Sequence, residues 1–181
     1  MEKVFYKNFF QNKTRDEIKL WIDLHKSQLI GSAIFTKGIT WTANLVSWAE
    51  GLRCNYKGFI PSHTGSIIEK DGEVVIFDMK PPKADVQSLE KYLWTTKEEF
   101  ILVLRDFDLD TKIFNTFLIE QIGRGYPYMS ALRSVLNKRQ TQWNCHCSEQ
   151  HARALQLCGY IFDESFNLEC TPDELLHYML K

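Results

Sequence analysis

A cysteine and a histidine that lie far apart in the chain carry the residue types of a thiol nucleophile and its base. Cys147 heads an amphipathic stretch that the pattern predicts to be helical, and His63 begins an apolar, β-rich run. A thiol at a helix start feels the positive end of the helix dipole, and a protonated histidine beside it favours the thiolate further. The unpartnered N–H groups of the first helical turn can hold a carbonyl oxyanion. These features predict acyl chemistry through a thioester.

A third polar residue is predicted to orient the imidazole of His63. Asp71-Gly72 is a strong hairpin signal, and it separates two β-rich runs at 62–68 and 73–79. Pairing the residues around this turn sets Asp78 opposite Gly65 and two positions from His63. That diagonal is within reach of long side chains. We therefore expect Asp78 to hold the imidazole in its reactive tautomer.

The remaining pattern predicts one α+β domain over residues 1–181, with residues 1–29 as an N-terminal helical extension. Thr14 and Glu17 form one capping box, and Thr171 and Glu174 form another. Helices are predicted from these caps and over 40–50, 112–122, 130–136 and 148–158, and further strands over 33–35 and 100–104. We expect the helices to gather around a small antiparallel sheet.

The amino-acid composition argues against some classes of binding partner. The chain has 22 Lys+Arg against 23 Asp+Glu, a formal net charge of -1, which gives no electrostatic reason to expect nucleic acid or an anionic membrane. There is no apolar run long enough for a transmembrane segment and no secretory signal pattern at the N-terminus. The five cysteines lack disulfide spacing, so we expect reduced thiols and a cytoplasmic location. We expect no cofactor and no metal.

Six sequence blocks resemble the circularly permuted papain-like cysteine peptidases of the NlpC-type cell-wall amidase superfamily. They occur in the family's order: the opening strand at 30–38, His63-Thr64-Gly65 with the apolar residues after it, the strand 75–78, the glycine–tyrosine segment 123–128, Cys147-Ser148-Glu149, and the helix start 171–175. The chain departs from the family at Ser32, where the family often has Asp, and in a longer, more polar segment at 53–59. The resemblance covers most of the chain.

The resemblance implies a permuted papain-like fold, with a small antiparallel sheet or half-barrel packed against helices. It also implies Cys147 as nucleophile, His63 as base and Asp78 as the orienting residue. The expected substrate is a bacterial cell-wall peptide, cleaved at an amide bond. Without a signal sequence, we expect cytoplasmic muropeptide processing, or a phage or viral protein released by lysis. Related permuted enzymes move lipid acyl groups, so an acyltransferase or esterase with the same triad is an alternative.

Three further residues are predicted to contact substrate. Trp143 precedes the nucleophile and is expected in the substrate groove, with core packing as the competing interpretation. Tyr126 can supply a hydroxyl near the thiolate, and Ser148 follows the nucleophile directly. The oligomeric state is left open.

Two non-catalytic interpretations compete with the hydrolase. Cys145, His146, Cys147 and His151 are close in sequence and offer zinc ligands, although this spacing matches no standard zinc site. We expect His151 instead on the helix surface or at the edge of the site. A peptide-binding module that keeps the fold without catalysis is the other possibility. The choice of Cys147 over Cys145 as nucleophile rests on the Cys-Ser-Glu match.

Overall fold

A six-stranded antiparallel sheet organises the chain. The computed structural model describes residues 3–38, 59–80, 82–126, 147–164, 166–168 and 170–181. In these residues the strands are β1 (Val4–Tyr6), β2 (Ala33–Lys37), β3 (His63–Lys70), β4 (Glu73–Lys80), β5 (Lys83–Ser88) and β6 (Glu99–Val103). Their order across the sheet is β1-β6-β2-β3-β4-β5, and every neighbouring pair is antiparallel.

Six helices are described alongside the sheet. They are α1 (Lys7–Phe10), α2 (Arg15–Leu29), α3 (Leu89–Thr95), α4 (Thr111–Ile119), α5 (Cys147–Leu157) and α6 (Pro172–Met179). Both predicted capping boxes are confirmed, with Thr14 capping α2 and Thr171 capping α6. The architecture is therefore α+β, as predicted. Among the described residues there is no helix with the length and apolar character needed to span a membrane.

Alternate residues of β3 and β4 contribute to two different hydrophobic clusters, because successive strand side chains point to opposite faces. Ile67 and Ile76 are buried in a cluster with residues of α1, α2 and α3. Ile68 and Phe77 are buried in a second cluster with residues of α4 and α5. A third cluster joins β2, β6 and α6 through residues such as Phe35. The central strands are therefore covered on both faces.

The β3–β4 hairpin forms in the predicted register. Asp71 and Gly72 both have positive φ, 53° and 83°, as a two-residue turn of the type favoured in hairpins requires. Gly65 is the partner of Asp78 across the pair. The turn chemistry thus fixes which residues of the two strands face each other.

Three elements differ from the sequence pattern. The N-terminal segment, predicted to be helical, begins with the edge strand β1, which pairs with β6. A strand that was not predicted, β5, follows β4 through a tight connection at Pro82, where Lys80 pairs with Lys83. Proline pre-sets a turn backbone and so suits this position. Helix α3 follows β5 and was not predicted. The helices predicted over 40–50 and 130–136 lie outside the described residues.

Candidate active site

His63 and Asp78 form a buried hydrogen-bonded pair between adjacent strands. The Nε2 atom of His63 lies 2.9 Å from Oδ1 of Asp78. His63 is the first residue of β3 and is 9% exposed, and Asp78 lies near the end of β4 and is 7% exposed. The diagonal contact inferred from the turn is present. A carboxylate at Nε2 holds the proton on that nitrogen and leaves Nδ1 for another partner.

That other partner is Cys147, the first residue of α5. Its side chain is close enough to the His63 ring for hydrogen bonding and charge to raise the pKa of His63, and it is a free cysteine, 7% exposed. Since Nε2 of His63 is directed at Asp78, Nδ1 is the ring nitrogen available to the sulfur. The three predicted residues therefore form one continuous series of contacts, from thiol to imidazole to carboxylate.

Backbone geometry explains why these residues meet. The start of β3, the end of β4 and the start of α5 lie together at one end of the sheet, and α5 packs across β3 and β4. Gly65 contributes by lacking a side chain: a Cβ atom there would lie 3.0 Å from Oδ1 of Asp78. The carboxylate occupies that space and reaches His63.

The other carboxylate oxygen of Asp78 is held by β5 and by the end of β4. Gln87 donates from its Nε2 to Oδ2 of Asp78, in a short contact. The ammonium of Lys80 lies 3.4 Å from the same oxygen. Sequence reasoning missed Gln87 because β5 was not predicted, and Lys80 because it lies one residue beyond the predicted strand 73–79. The register of β4 and β5 places Asp85 opposite Asp78 and Gln87 on the diagonal.

Neighbouring charges and hydrogen bonds shift the pKa values of His63 and Asp78. Burial by itself would lower the pKa of His63, but the negative charge of the Cys147 thiolate and the hydrogen bond to Asp78 outweigh it and raise that pKa to about 9. Burial would raise the pKa of Asp78, but the hydrogen bond and charge of His63, with Lys80 and Gln87, hold it below its usual value. The site is thus suited to an imidazolium between a thiolate and a carboxylate.

Helix α5 is anchored by polar side chains in its first two turns. Ser148 is fully buried, and its hydroxyl donates to the carbonyl oxygen of Cys170 at 2.6 Å. The hydroxyl therefore faces the interior, and a substrate contact by Ser148 stays a prediction. Glu149, also buried, pairs with Arg153 one turn later at 2.7 Å.

His151 differs from expectation as well. It is fully buried and not at the helix surface, and its Nδ1 lies 2.9 Å from the hydroxyl of Ser66 on β3. Within the described parts of the chain, no group of three or more histidine, cysteine or acidic side chains is arranged to hold a metal ion. Cys145 and His146 lie outside the described residues.

Of the other two predicted substrate contacts, Tyr126 and Trp143, the structure describes only Tyr126. Tyr126 is half-buried and packs against the cluster that contains Cys147. Its backbone N–H donates to the carbonyl oxygen of Pro82 at 2.8 Å, which attaches this segment to the β4–β5 turn. A substrate contact by Tyr126 stays a prediction. Trp143 lies outside the described residues.

No protein-family model matches the sequence, and no curated protein matches it either. The functional interpretation therefore depends on the arrangement of Cys147, His63 and Asp78. A thiol, an imidazole and a carboxylate in contact can generate a nucleophile and return its proton to a leaving group. That capacity defines a reaction type but not a substrate.

Proposed function

We propose that this protein is a cysteine-dependent hydrolase that cleaves an amide bond through a thioester acyl-enzyme. The observation that carries the proposal is the continuous contact from Cys147 through His63 to Asp78. Burial disfavours the charged form of an imidazole. The thiolate on one side and the carboxylate on the other favour the imidazolium and so compensate for burial. Each residue then has a role that its contacts support.

In the proposed reaction, the Cys147 thiolate attacks the carbonyl carbon of the scissile amide. The C–N bond breaks as the imidazolium of His63 gives its proton to the leaving nitrogen, and the acyl group stays on sulfur as a thioester. His63, now neutral, takes a proton from water, and the resulting hydroxide attacks the thioester. The acid product leaves, and thiolate and imidazolium are restored. Asp78 keeps the ring oriented throughout.

We further propose that the chain has the permuted papain-like fold of the NlpC-type superfamily and acts on a bacterial cell-wall peptide. Support comes from the order of the six sequence blocks, with the histidine on β3, the acidic residue on β4 and the cysteine at the start of a later helix. The antiparallel sheet with helices on both faces is compatible with such a fold. The wall peptide is the substrate that the resemblance implies.

The test is cleavage of purified muropeptides, followed by chromatography and mass spectrometry. Wild type is compared with Cys147→Ala, which keeps the helix start but removes the sulfur. We expect new amine and acid termini with wild type alone, and a mass increase on Cys147 when turnover is stopped with acid. The absence of cleavage across muropeptides, simple peptide amides and activated esters, with a correctly folded protein, would refute the hydrolase. An acyl adduct formed from esters and transferred to an added amine or alcohol would favour the acyltransferase alternative.

A further inference from the structure

A buried hydrogen bond joins the helix that carries the cysteine to the strand that carries the histidine. Nδ1 of His151 on α5 lies 2.9 Å from the hydroxyl of Ser66 on β3. His151 is completely buried and Ser66 is 1% exposed. Among the described residues the other ring nitrogen, Nε2, has no hydrogen-bond partner. In that part of the chain, Ser66 is thus the polar group that orients the ring.

On both elements, this hydrogen bond lies close in sequence to the residues of the site, Cys147 and His63. His151 lies four residues after Cys147, one helical turn along the same face of α5, a rise of about 6 Å. Ser66 lies three residues after His63, about 10 Å along β3. The hydrogen bond therefore connects the same two elements as the contact between thiol and imidazole, one helical turn along α5 from Cys147.

The packing around this hydrogen bond includes apolar side chains, which give little directional restraint. Ala154 and Leu155 of α5 are buried against the cluster that includes Ile68 and Phe77. The edge of the Phe114 ring contacts the His151 ring, with centroids 5.6 Å apart. Small and aliphatic side chains permit close packing, but the hydrophobic effect is non-directional. A hydrogen bond has strict distance and angle requirements and can set the position of a helix on a strand.

His151 is kept neutral in this setting. Burial lowers its pKa to about 3, and no charge contributes to the shift. A neutral imidazole exchanges one hydrogen bond with the serine hydroxyl without adding a charge near the thiolate. The polar contact therefore leaves the electrostatics of the Cys147–His63 pair undisturbed.

We propose that Ser66 and His151 are positioning residues that fix α5 on β3 and thereby hold the Cys147 thiol against His63. Neither residue touches the reacting atoms. The inference depends on the proposed function, because it assigns these residues a role only through the thiolate–imidazolium pair. Their loss is expected to change the reactivity of Cys147 more than it changes the stability of the fold.

The test uses the double variant Ser66→Ala/His151→Phe, in which both polar partners are removed and the buried ring is retained. Replacing both partners of a buried hydrogen bond avoids leaving one unsatisfied, so the fold is expected to persist. His151→Asn is the rescue variant, since its amide can occupy the place of Nδ1. Ile18→Val, in the cluster on the other side of the sheet, controls for a general loss of stability. Each protein is alkylated with iodoacetamide across pH, and the rate at Cys147 is read by mass spectrometry beside thermal unfolding.

We expect the midpoint for alkylation of Cys147 in the double variant to move up by about one pH unit, with the rate at pH 6 falling roughly tenfold. His151→Asn and Ile18→Val should keep the wild-type midpoint. A folded double variant with the wild-type profile would overturn the inference and leave the proposed function standing. An ordinary thiol profile in wild type would overturn both. If the double variant does not fold, the alkylation profile of Cys147 in Ser66→Ala is judged by the same criteria.

Discussion

Gly65 on β3 lies directly opposite Asp78 on β4, and the carboxylate occupies the space that a side chain at position 65 would fill. A Cβ atom there would lie 3.0 Å from Oδ1 of Asp78 and 2.6 Å from Cγ2 of Ile76. The same Oδ1 atom accepts the hydrogen bond from His63. The glycine is thus part of the site by virtue of its missing side chain.

Gly65→Ala is expected to displace Asp78 and weaken its hydrogen bond to His63. Because the nearest contacts are closer than a Cβ atom tolerates, the free energy of unfolding should fall by about 1–3 kcal/mol, as for other overpacked interiors. Cleavage should fall at least about tenfold, as expected when catalytic groups are misplaced. Gly125→Ala is the comparison, since nothing lies near its Cβ position and its φ is not positive. Full activity in folded Gly65→Ala would show that the carboxylate does not need this space.

Asp78→Asn is expected to lower the rate of amide cleavage by about 10²–10⁴-fold, because an amide holds the imidazole in the wrong tautomer or orientation. The measurement is kcat/KM on the cleaved peptide. Asp85→Asn is the matched control, as Asp85 is the exposed residue that pairs with Asp78 across β4 and β5. Equal activities of the two variants would show that Asp78 has no role in the mechanism.

The rate of amide cleavage should decline as the pH rises through about 9. His63 gives a proton to the leaving nitrogen only while it is protonated, and its pKa is raised to about 9. The alkaline limb of the profile of kcat/KM against pH therefore reports the loss of the imidazolium. Rates for an activated ester, whose leaving group needs no proton, should show a weaker decline. An amide profile that falls near pH 6.5 would place His63 outside the ion pair.

Acid should destabilise the fold through His151. Its pKa is about 3 in the folded protein, against about 6.5 in an unfolded chain, so between these values the unfolded state binds the extra proton. The free energy of unfolding should therefore fall as the pH drops from about 6.5 toward 3, by a few kcal/mol in total. Denaturant unfolding at several pH values measures this. In His151→Phe the fall over that range should be smaller; an unchanged fall would mean that other groups cause it.

The sequence predicted the site where local chemistry determines geometry. The Asp71-Gly72 turn sets the register of β3 and β4, so the proximity of His63 and Asp78 could be counted from the turn. The capping boxes likewise place the starts of α2 and α6. The predicted contact of Cys147 with His63 relied on recognised motifs, because 84 residues separate them and no local rule joins them.

The rest depends on tertiary packing. β1 is only three residues long and exists because β6 offers an unpaired edge. β5 alternates buried and exposed residues weakly, with charges at Lys83 and Asp85, so Gln87 could not be assigned to Asp78 beforehand. His151 looks like a surface residue in the sequence, and only the packing of α5 on β3 shows that it is buried against Ser66.

The central claim is that Cys147 is a thiolate paired with the His63 imidazolium, and the pH dependence of its alkylation tests that claim most directly. Wild type, Cys147→Ala and His63→Ala are treated with iodoacetamide, with Cys158 as an internal reference because burial raises the pKa of its thiol. We predict rapid labelling of Cys147 well below pH 8, absent in Cys147→Ala and slowed in His63→Ala. Labelling of Cys147 in wild type no faster than that of Cys158 would contradict the account.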